Sequence, residues 1–305
     1  MLNRLYGAQA LMSENFRGAT LMMVCMSAFV LNDAFVRLAG NTLPLAQILF
    51  LRGILTTTLL LIFALYVGVF KLGVSRNDKW KIFFRSVTES VTAYFFLTAV
   101  MHMPFANVTA ILQILPMTVT LSSAFVFKEK VGILRLGLII IGFLGVILII
   151  NPSSDGFNWY SVYALIAVAS ITLRDLLTRK LSDEVPTLLP TFSASLGVLV
   201  FSFVLMLNTP IQPMEMDSSL FIVAAAFFII FGYYTAVSAM RVGEVSFVSP
   251  FRYSAILFAL LIGFLFFQEQ PDAYAFLGII IIMTSGILLM IRNNSQKSAK
   301  KKLSS

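Results

Sequence analysis

Apolar runs of about twenty residues follow one another along nearly the whole chain, parted by short polar connections. A hydrocarbon layer of roughly 30 Å is crossed by about 20 apolar residues in a helix. On that ruler the pattern predicts ten transmembrane helices, near 18–39, 44–69, 82–102, 104–127, 133–150, 159–179, 185–207, 218–240, 243–267 and 273–291. Trp80 and Trp159 each stand beside a span start, where indole rings favour the membrane interface. The expected fold class is an all-α polytopic membrane protein.

Composition sharpens this reading. Of the 305 residues 59% are hydrophobic and 12% charged, where a soluble domain carries about a quarter charged. The net charge of +8 comes from lysines and arginines in connections and in the tail "SQKSAKKKLSS", with no basic stripe among exposed aromatics. That placement argues against nucleic acid as a partner. Cys25 and His102 are single, so an internal disulfide and a thiolate cage are excluded, a His-ligated centre would need carboxylates that are not clustered around His102, and no metal or cofactor is expected. No glycine-rich nucleotide loop is present, which argues against ATP as the energy source. The first apolar run is long and lacks a small-residue cleavage site after it, so it reads as a retained span.

The basic residues also set direction. All but three of the 22 lysines and arginines flank the connections on the side of the N-terminus, whereas "NPSSDGFN" and "NTPIQPMEMD" on the other side contain none. The positive-inside rule then places both termini in the cytoplasm. The three exceptions are Arg37, Arg52 and Arg252.

The halves of the chain resemble each other. "VLNDAFVRL" (30–38) lies over "TLRDLLTRK" (172–180), which pairs Asp33 with Asp175 and Arg37 with Arg179; the same offset pairs Pro44 with Pro186. "FVFKEK" lies over "FLFFQEQ" and pairs Glu129 with Glu269. Five spans per half is an odd number, so the halves are expected as two inverted five-helix repeats, 18–150 and 151–291. A cytoplasmic N-terminal segment (1–17) and a basic cytoplasmic tail (292–305) flank them. Inverted repeats are a recurring architecture of alternating-access carriers, with substrate held near the midplane.

"AVMHMPFANVTAILQILPMTVTLSSAFVFKEKVGILRLGLIIIGFLGVILIINP" resembles the second part of the repeat unit in EamA-type carriers of the drug/metabolite transporter superfamily. Its features are a small-residue helix entry, a Pro thirteen residues before a Glu, and then a glycine-rich helix. "VGEVSFVSPFRYSAILFALLIGFLFFQEQPD" resembles the second copy, and the likeness covers roughly 18–291. The second copy departs from the pattern: Ile256 replaces the expected proline, and "SPFRY" stands at 249–253. That variant is similar to bacterial members that take up metabolites such as S-adenosylmethionine.

Charges inside the spans are the candidate chemistry. A charge at the bilayer centre costs at least about 2.5–3.5 kcal/mol, so such groups should face a cavity or each other. Asp33 and Arg37 are four apart, acid first, the favourable order for a helix pair. At about 1.5 Å per residue, Asp33 is about 9 Å from the outer end of its span, Arg52 about 12 Å, and Asp175 about 9 Å from the inner face. Two clusters at opposite ends are therefore expected, Asp33, Arg37 and Arg52 outside and Glu89, Arg174, Asp175, Arg179 and Arg252 inside. Asp33, Arg37, Asp175 and Arg179 are assigned as gates; Arg37, Arg174 and Arg179 are also near enough to span ends to snorkel. The expected substrate-binding set is Arg252, Tyr253, Ser249, Arg52, Gln113, Thr109, Glu89 and Tyr234, with Thr120, Tyr233, Tyr94 and Thr92 extending the lining. Arginine offers a planar donor fork suited to carboxylate or phosphate. Pro116 and Pro250 loosen the helices that carry the two polar stripes.

The expected function is a secondary transporter, in the cell inner membrane and in contact with membrane lipid, for a small polar or zwitterionic metabolite. Amino-acid-like and S-adenosylmethionine-like cargo both fit. Proton coupling through Glu89, Asp33 or Asp175 and facilitated exchange are both compatible with the sequence, and a monomer suffices. The competing class is a scaffold or assembly subunit. An enzyme would need a nucleophile–base set or paired carboxylates at one level, and a channel would need a continuous polar path.

Overall fold

The computed structural model describes the backbone of residues 2–69, 73–127, 132–151, 158–182, 184–242 and 245–303, with most side chains between Glu14 and Ile291. Among the described residues every regular element is helical. The order is α1 (Leu2–Ala39), α2 (Leu45–Val67), α3 (Arg76–His102), α4 (Phe105–Leu112), α5 (Leu115–Phe127), α6 (Ile133–Ile150), α7 (Tyr160–Arg179), α8 (Leu188–Met206), α9 (Met216–Val242), α10 (Val245–Val248), a 3-10 turn (Ser249–Tyr253), α11 (Ser254–Phe267) and α12 (Ala273–Leu303). Helices are the open-chain answer to hydrocarbon because each satisfies its own backbone groups. The outermost helices continue past their expected spans, α1 starting at Leu2 and α12 running on to Leu303.

Nine segments among the described residues are long and apolar enough to cross a membrane, so the chain is a multi-pass membrane protein. The third expected span lies in α3, which has the length at 27 residues but not the apolarity. Its Ser86, Thr88, Ser90 and Thr92 are buried against neighbouring helices. The bundle's outer surface is apolar instead, with Ile62, Phe63, Val200, Phe203, Leu144 and Ile147 all exposed.

The helices pair as α1 with α9, α3 with α7, α6 with α12, α2 with α8, and α4 with α11. This pattern is unchanged when the five hydrophobic segments of one half trade places with those of the other. At the α6–α12 crossing, a Cβ on Gly145 would lie 2.9 Å from the Gly278 carbonyl, so only glycine permits that backbone approach. Gly142 likewise seats Met117, whereas Gly137 faces open space.

Both central segments are broken rather than continuous. Pro116 has no N–H to offer Leu112, and its ring excludes the carbonyl one turn back. The chain responds with tight turns, Gln113 N–H to Ala110 and Met117 N–H to Ile114, which leave the Gln113 carbonyl outside the helix ladder. In the other half the "SPFRY" segment forms the 3-10 turn. Tyr253 of that turn is almost fully buried and donates its hydroxyl to the Gln113 carbonyl at 3.3 Å. One break therefore satisfies the other. Gly286 on α12 makes the room, since a Cβ there would collide with the Tyr253 hydroxyl.

Outside the apolar layer, Ser75 caps α3 by accepting from Asp78 N–H at 3.1 Å. Lys81 (2.8 Å), Ser75 and Ser182 all donate to the Asp78 carboxylate and hold its carboxyl well below the usual range. Lys81 also reaches the Lys180 carbonyl, so this cluster ties the start of α3 to the end of α7.

Filling the space beside Tyr253 tests the coupling of the two breaks. Gly286→Ala should destabilise the protein by about 1–3 kcal/mol, the usual cost of overpacking. Gly137→Ala should leave the melting temperature in detergent unchanged or slightly raised. Equal melting temperatures for the two variants would refute the arrangement.

Candidate functional site

The charged residues within the bundle surround two cavities. The larger, of about 270 Å³, runs along α1 from Met26 to Asp33 and is closed by Thr109, Gln113 and Pro116 at the first break, by Arg174 and Asp175 of α7, and by Arg252 of the 3-10 turn. The smaller, of about 110 Å³, lies between α2, α3, α8 and α9. Its polar lining is Arg52, Thr56, Arg85, Glu89, Thr191, Ser195 and Tyr233.

Two chains of polar contacts make the wall between the cavities. In one, Arg174 on the large-cavity side bonds Glu89 on the small-cavity side at 3.1 Å and its own neighbour Asp175 at 2.9 Å. In the other, Arg52 donates to Asn32 at 3.0 Å, and the Asn32 amide donates to Asp33 at 2.8 Å. Each chain therefore has one charged end in each cavity. At this depth the pairing is obligatory, because an isolated ion in low dielectric costs several kcal/mol.

Arg252 differs from its neighbours. It is solvent-accessible within the lining of the large cavity. No carboxylate among the described residues lies within ion-pair distance of it. The large cavity thus offers an unpaired guanidinium together with Asp33, whose carboxylate is met only by an uncharged amide.

A third charged cluster ties one end of the bundle. Arg37 at the end of α1 grips Glu269 after α11 with two nitrogens, at 2.5 and 3.3 Å. The same carboxylate accepts the Phe105 N–H at 2.6 Å, and Arg37 also donates to the Met103 carbonyl. The Phe267 ring lies 4.2 Å below the guanidinium. Gln268, in the left-handed region at φ 54°, turns the chain that presents Glu269.

Several expectations need correction. Arg37 does not pair with Asp33 one helical turn away, because Glu269 offers a fork-to-fork contact and the Phe105 N–H fixes it. Asp33 and Asp175 do not belong to separate end clusters: both line the large cavity. A rise count locates a residue along its own helix but is blind to the length of the cavity beside it. Arg174 does not snorkel, since two carboxylates hold it inside. Arg179 donates to Ser123 at 3.1 Å.

Of the expected binding set, Arg252, Gln113 and Thr109 meet in the large cavity, and Arg52 and Glu89 in the small one. Tyr253 is spent on the helix break. Ser249 lines neither cavity. Tyr234 is 71% exposed and lines an apolar groove on the outside of α2 and α9, while its neighbour Tyr233 faces the small cavity. His102 stacks on Tyr160 with ring centres 4.1 Å apart. Among the described residues no cluster of three or more potential metal ligands exists.

Asn32 and Arg85 were not singled out as site residues from sequence, and Glu269 appeared only as the repeat partner of Glu129, which lies outside the described residues. The signal for Asn32 was its place beside Asp33 in an apolar run. Arg85 was masked by the basic connection from which it continues.

Comparison with known proteins bears on the chain as a whole. The profile of the EamA-like transporter family matches twice, over 16–151 and 158–292. The pseudopaline exporter CntI of Pseudomonas aeruginosa is 26% identical over 280 residues, covering 89% of this chain and 95% of that protein. An S-adenosylmethionine uptake transporter of Rickettsia prowazekii is 21% identical over 276 residues, covering 88% and 91%. An uncharacterized transporter of Helicobacter pylori is 26% identical over 283 residues, covering 90% and 94%. A solved crystal structure superposes with a TM-score of 0.57 at 16% identity, covering 89% of this chain and 98% of the other, a likeness of fold alone.

The Arg37–Glu269 tie should behave as a coupled pair. Glu269→Gln should cost about 1.5–3 kcal/mol, as for a charge-assisted hydrogen bond left half-made. Arg37→Gln added to that variant should cost little more. Simple additivity in a double-mutant cycle on thermal unfolding in detergent would show that the contact carries no stability.

Proposed function

The chain belongs to the EamA-like transporter family, and we propose that within it this protein is a secondary carrier for a small zwitterionic metabolite. The observation that carries the reading is Arg252, a guanidinium without a carboxylate partner among the described residues, in the lining of a cavity that also holds Asp33 and Asp175. A carboxylate of the substrate meets the Arg252 fork, and its ammonium group meets Asp33. An arriving zwitterion supplies at once the two counter-charges that the cavity lacks. Neutral sugars and hydrophobic cations supply at most one.

Movement is by alternating access between two inverted five-helix repeats, in the cell inner membrane with both termini cytoplasmic. Three observations support this. The family profile matches each half once. Helix pairing survives exchange of the halves. Both broken segments meet at the middle, where carriers of this kind hold substrate. In this reading the Arg37–Glu269 ion pair acts as a gate at one end of the bundle. Relatives named for export and for uptake share the architecture, so the cavity chemistry and the direction of movement are separable.

Counterflow in proteoliposomes tests the reading. Loaded with amino acids, S-adenosylmethionine, organic anions and amines in turn, the protein should show saturable exchange for carboxylate-bearing zwitterions only. Arg252→Gln should reduce that exchange by about ten-fold or more, the loss expected when one charge-assisted recognition contact is removed. Asp33→Asn should reduce exchange of the same ammonium-bearing zwitterions. Full exchange by Arg252→Gln would remove the arginine from the site. No exchange across the panel by folded, inserted protein would overturn the carrier reading in favour of an assembly role.

A further inference from the structure

The small cavity holds more positive charge than its surroundings neutralise. Arg52 and Arg85 both line it, and their bonded partners are uncharged: Asn32 for Arg52, the Thr178 hydroxyl and the Pro190 carbonyl for Arg85. Glu89 is the only carboxylate in the lining, and it is committed to Arg174 across the wall. Two arginines less one glutamate leave a single positive charge in a nearly buried space. The hydroxyls of Ser195 and Tyr233 stand around it, while Thr56 gives its own proton to the Arg52 carbonyl. Volume, charge and donor type suit one carboxylate-sized oxyanion.

The wall is built to part without stranding an ion. If Glu89 releases Arg174, Arg174 keeps Asp175 at 2.9 Å, and Glu89 turns to the two arginines on its own side. The net charge of the small cavity then stays positive by one, and the two cavities become one elongated site. Its lining joins Arg252, Asp33 and Asp175 of the large cavity to Arg52 and Arg85 of the small one.

We propose that the small cavity is a second subsite of the binding site, which takes a second carboxylate borne by the same substrate. The cargo class is therefore an elongated zwitterion with a carboxylate at each end and ammonium between or beside them. This rests on the carrier reading of the large cavity. A free inorganic or organic anion carries the same chemistry and is the alternative source that the test separates.

The probes are two pairs of amines that differ by one far carboxylate, lysine against diaminopimelate and 2-aminobutyrate against glutamate. Binding to the purified full-length protein and counterflow in proteoliposomes are measured for the parent, Arg52→Gln, Arg52→Lys and Arg252→Gln. The dicarboxylate of at least one pair should bind the parent about ten-fold or more tightly than its partner. Arg52→Gln should abolish that preference by weakening the dicarboxylate about ten-fold more than its monocarboxylate partner, and Arg52→Lys, which keeps charge without the fork, should restore part of it. Arg252→Gln should weaken both members of the pair. Equal affinities within both pairs, or equal losses within a pair in folded Arg52→Gln, would overturn the proposal. A monocarboxylate affinity that rises with added acetate, without any dicarboxylate preference, would overturn it in favour of a free anion. Dicarboxylate preference in binding without counterflow would keep the second subsite and sink the carrier reading.

Discussion

An ion buried in a membrane-embedded bundle must find an opposite charge, a strong hydrogen-bond partner or water, because the hydrocarbon offers it nothing. The interior of this protein is organised by that constraint. Arg174 is shared by Glu89 and Asp175, Arg37 is locked on Glu269, and Arg52 reaches Asp33 only through an amide. Each solution joins helices distant in sequence: α3 to α7, α1 to the loop after α11, α2 to α1. Among the polar residues that make α3 too hydrophilic to resemble a membrane span, Glu89 meets Arg174 of α7 and Ser86 meets the Ser193 hydroxyl of α8.

The same constraint applies to the backbone. A broken helix exposes carbonyls that hydrocarbon cannot satisfy, so breaks persist only where protein or a cavity receives them. Here the Gln113 carbonyl, released by Pro116, is received by Tyr253 from the opposite break, and Gly286 leaves space for the ring. Gln113 and Pro116 line the large cavity on the other side of that contact. The breaks therefore border the large cavity and connect the halves at one point.

The membrane spans, the two-fold family match and most charged lining residues were legible in the sequence because each rests on local pattern. Hydropathy is a property of a twenty-residue window, and Asp33, Arg52, Glu89 and Arg252 stand out against apolar neighbours. Pairing was not legible, because it depends on which helix faces which. The i,i+4 spacing of Asp33 and Arg37 was a sound local inference, defeated by a carboxylate 232 residues away. Tyr233 and Tyr234 illustrate the same limit. They are adjacent on α9, about 100° apart around its axis, and one faces a polar cavity while the other faces an apolar groove. Pro116 announced a break, but only the packed halves reveal that the Tyr253 hydroxyl repairs it.

The wall between the cavities favours movement over static storage. A permanent barrier would be cheapest as packed hydrocarbon, since replacing a buried ion pair by apolar groups of similar volume is often neutral or stabilising. This protein instead places two charged chains there, each anchored in both cavities. Ionic contacts can exchange one partner for another with their total pairing conserved, whereas a parted hydrocarbon seam exposes apolar surface with no substitute. Arg174 has its second partner already in place, and the small cavity supplies two cations to receive Glu89. Exchange of partners at constant charge is the property that a repeatedly opening partition requires.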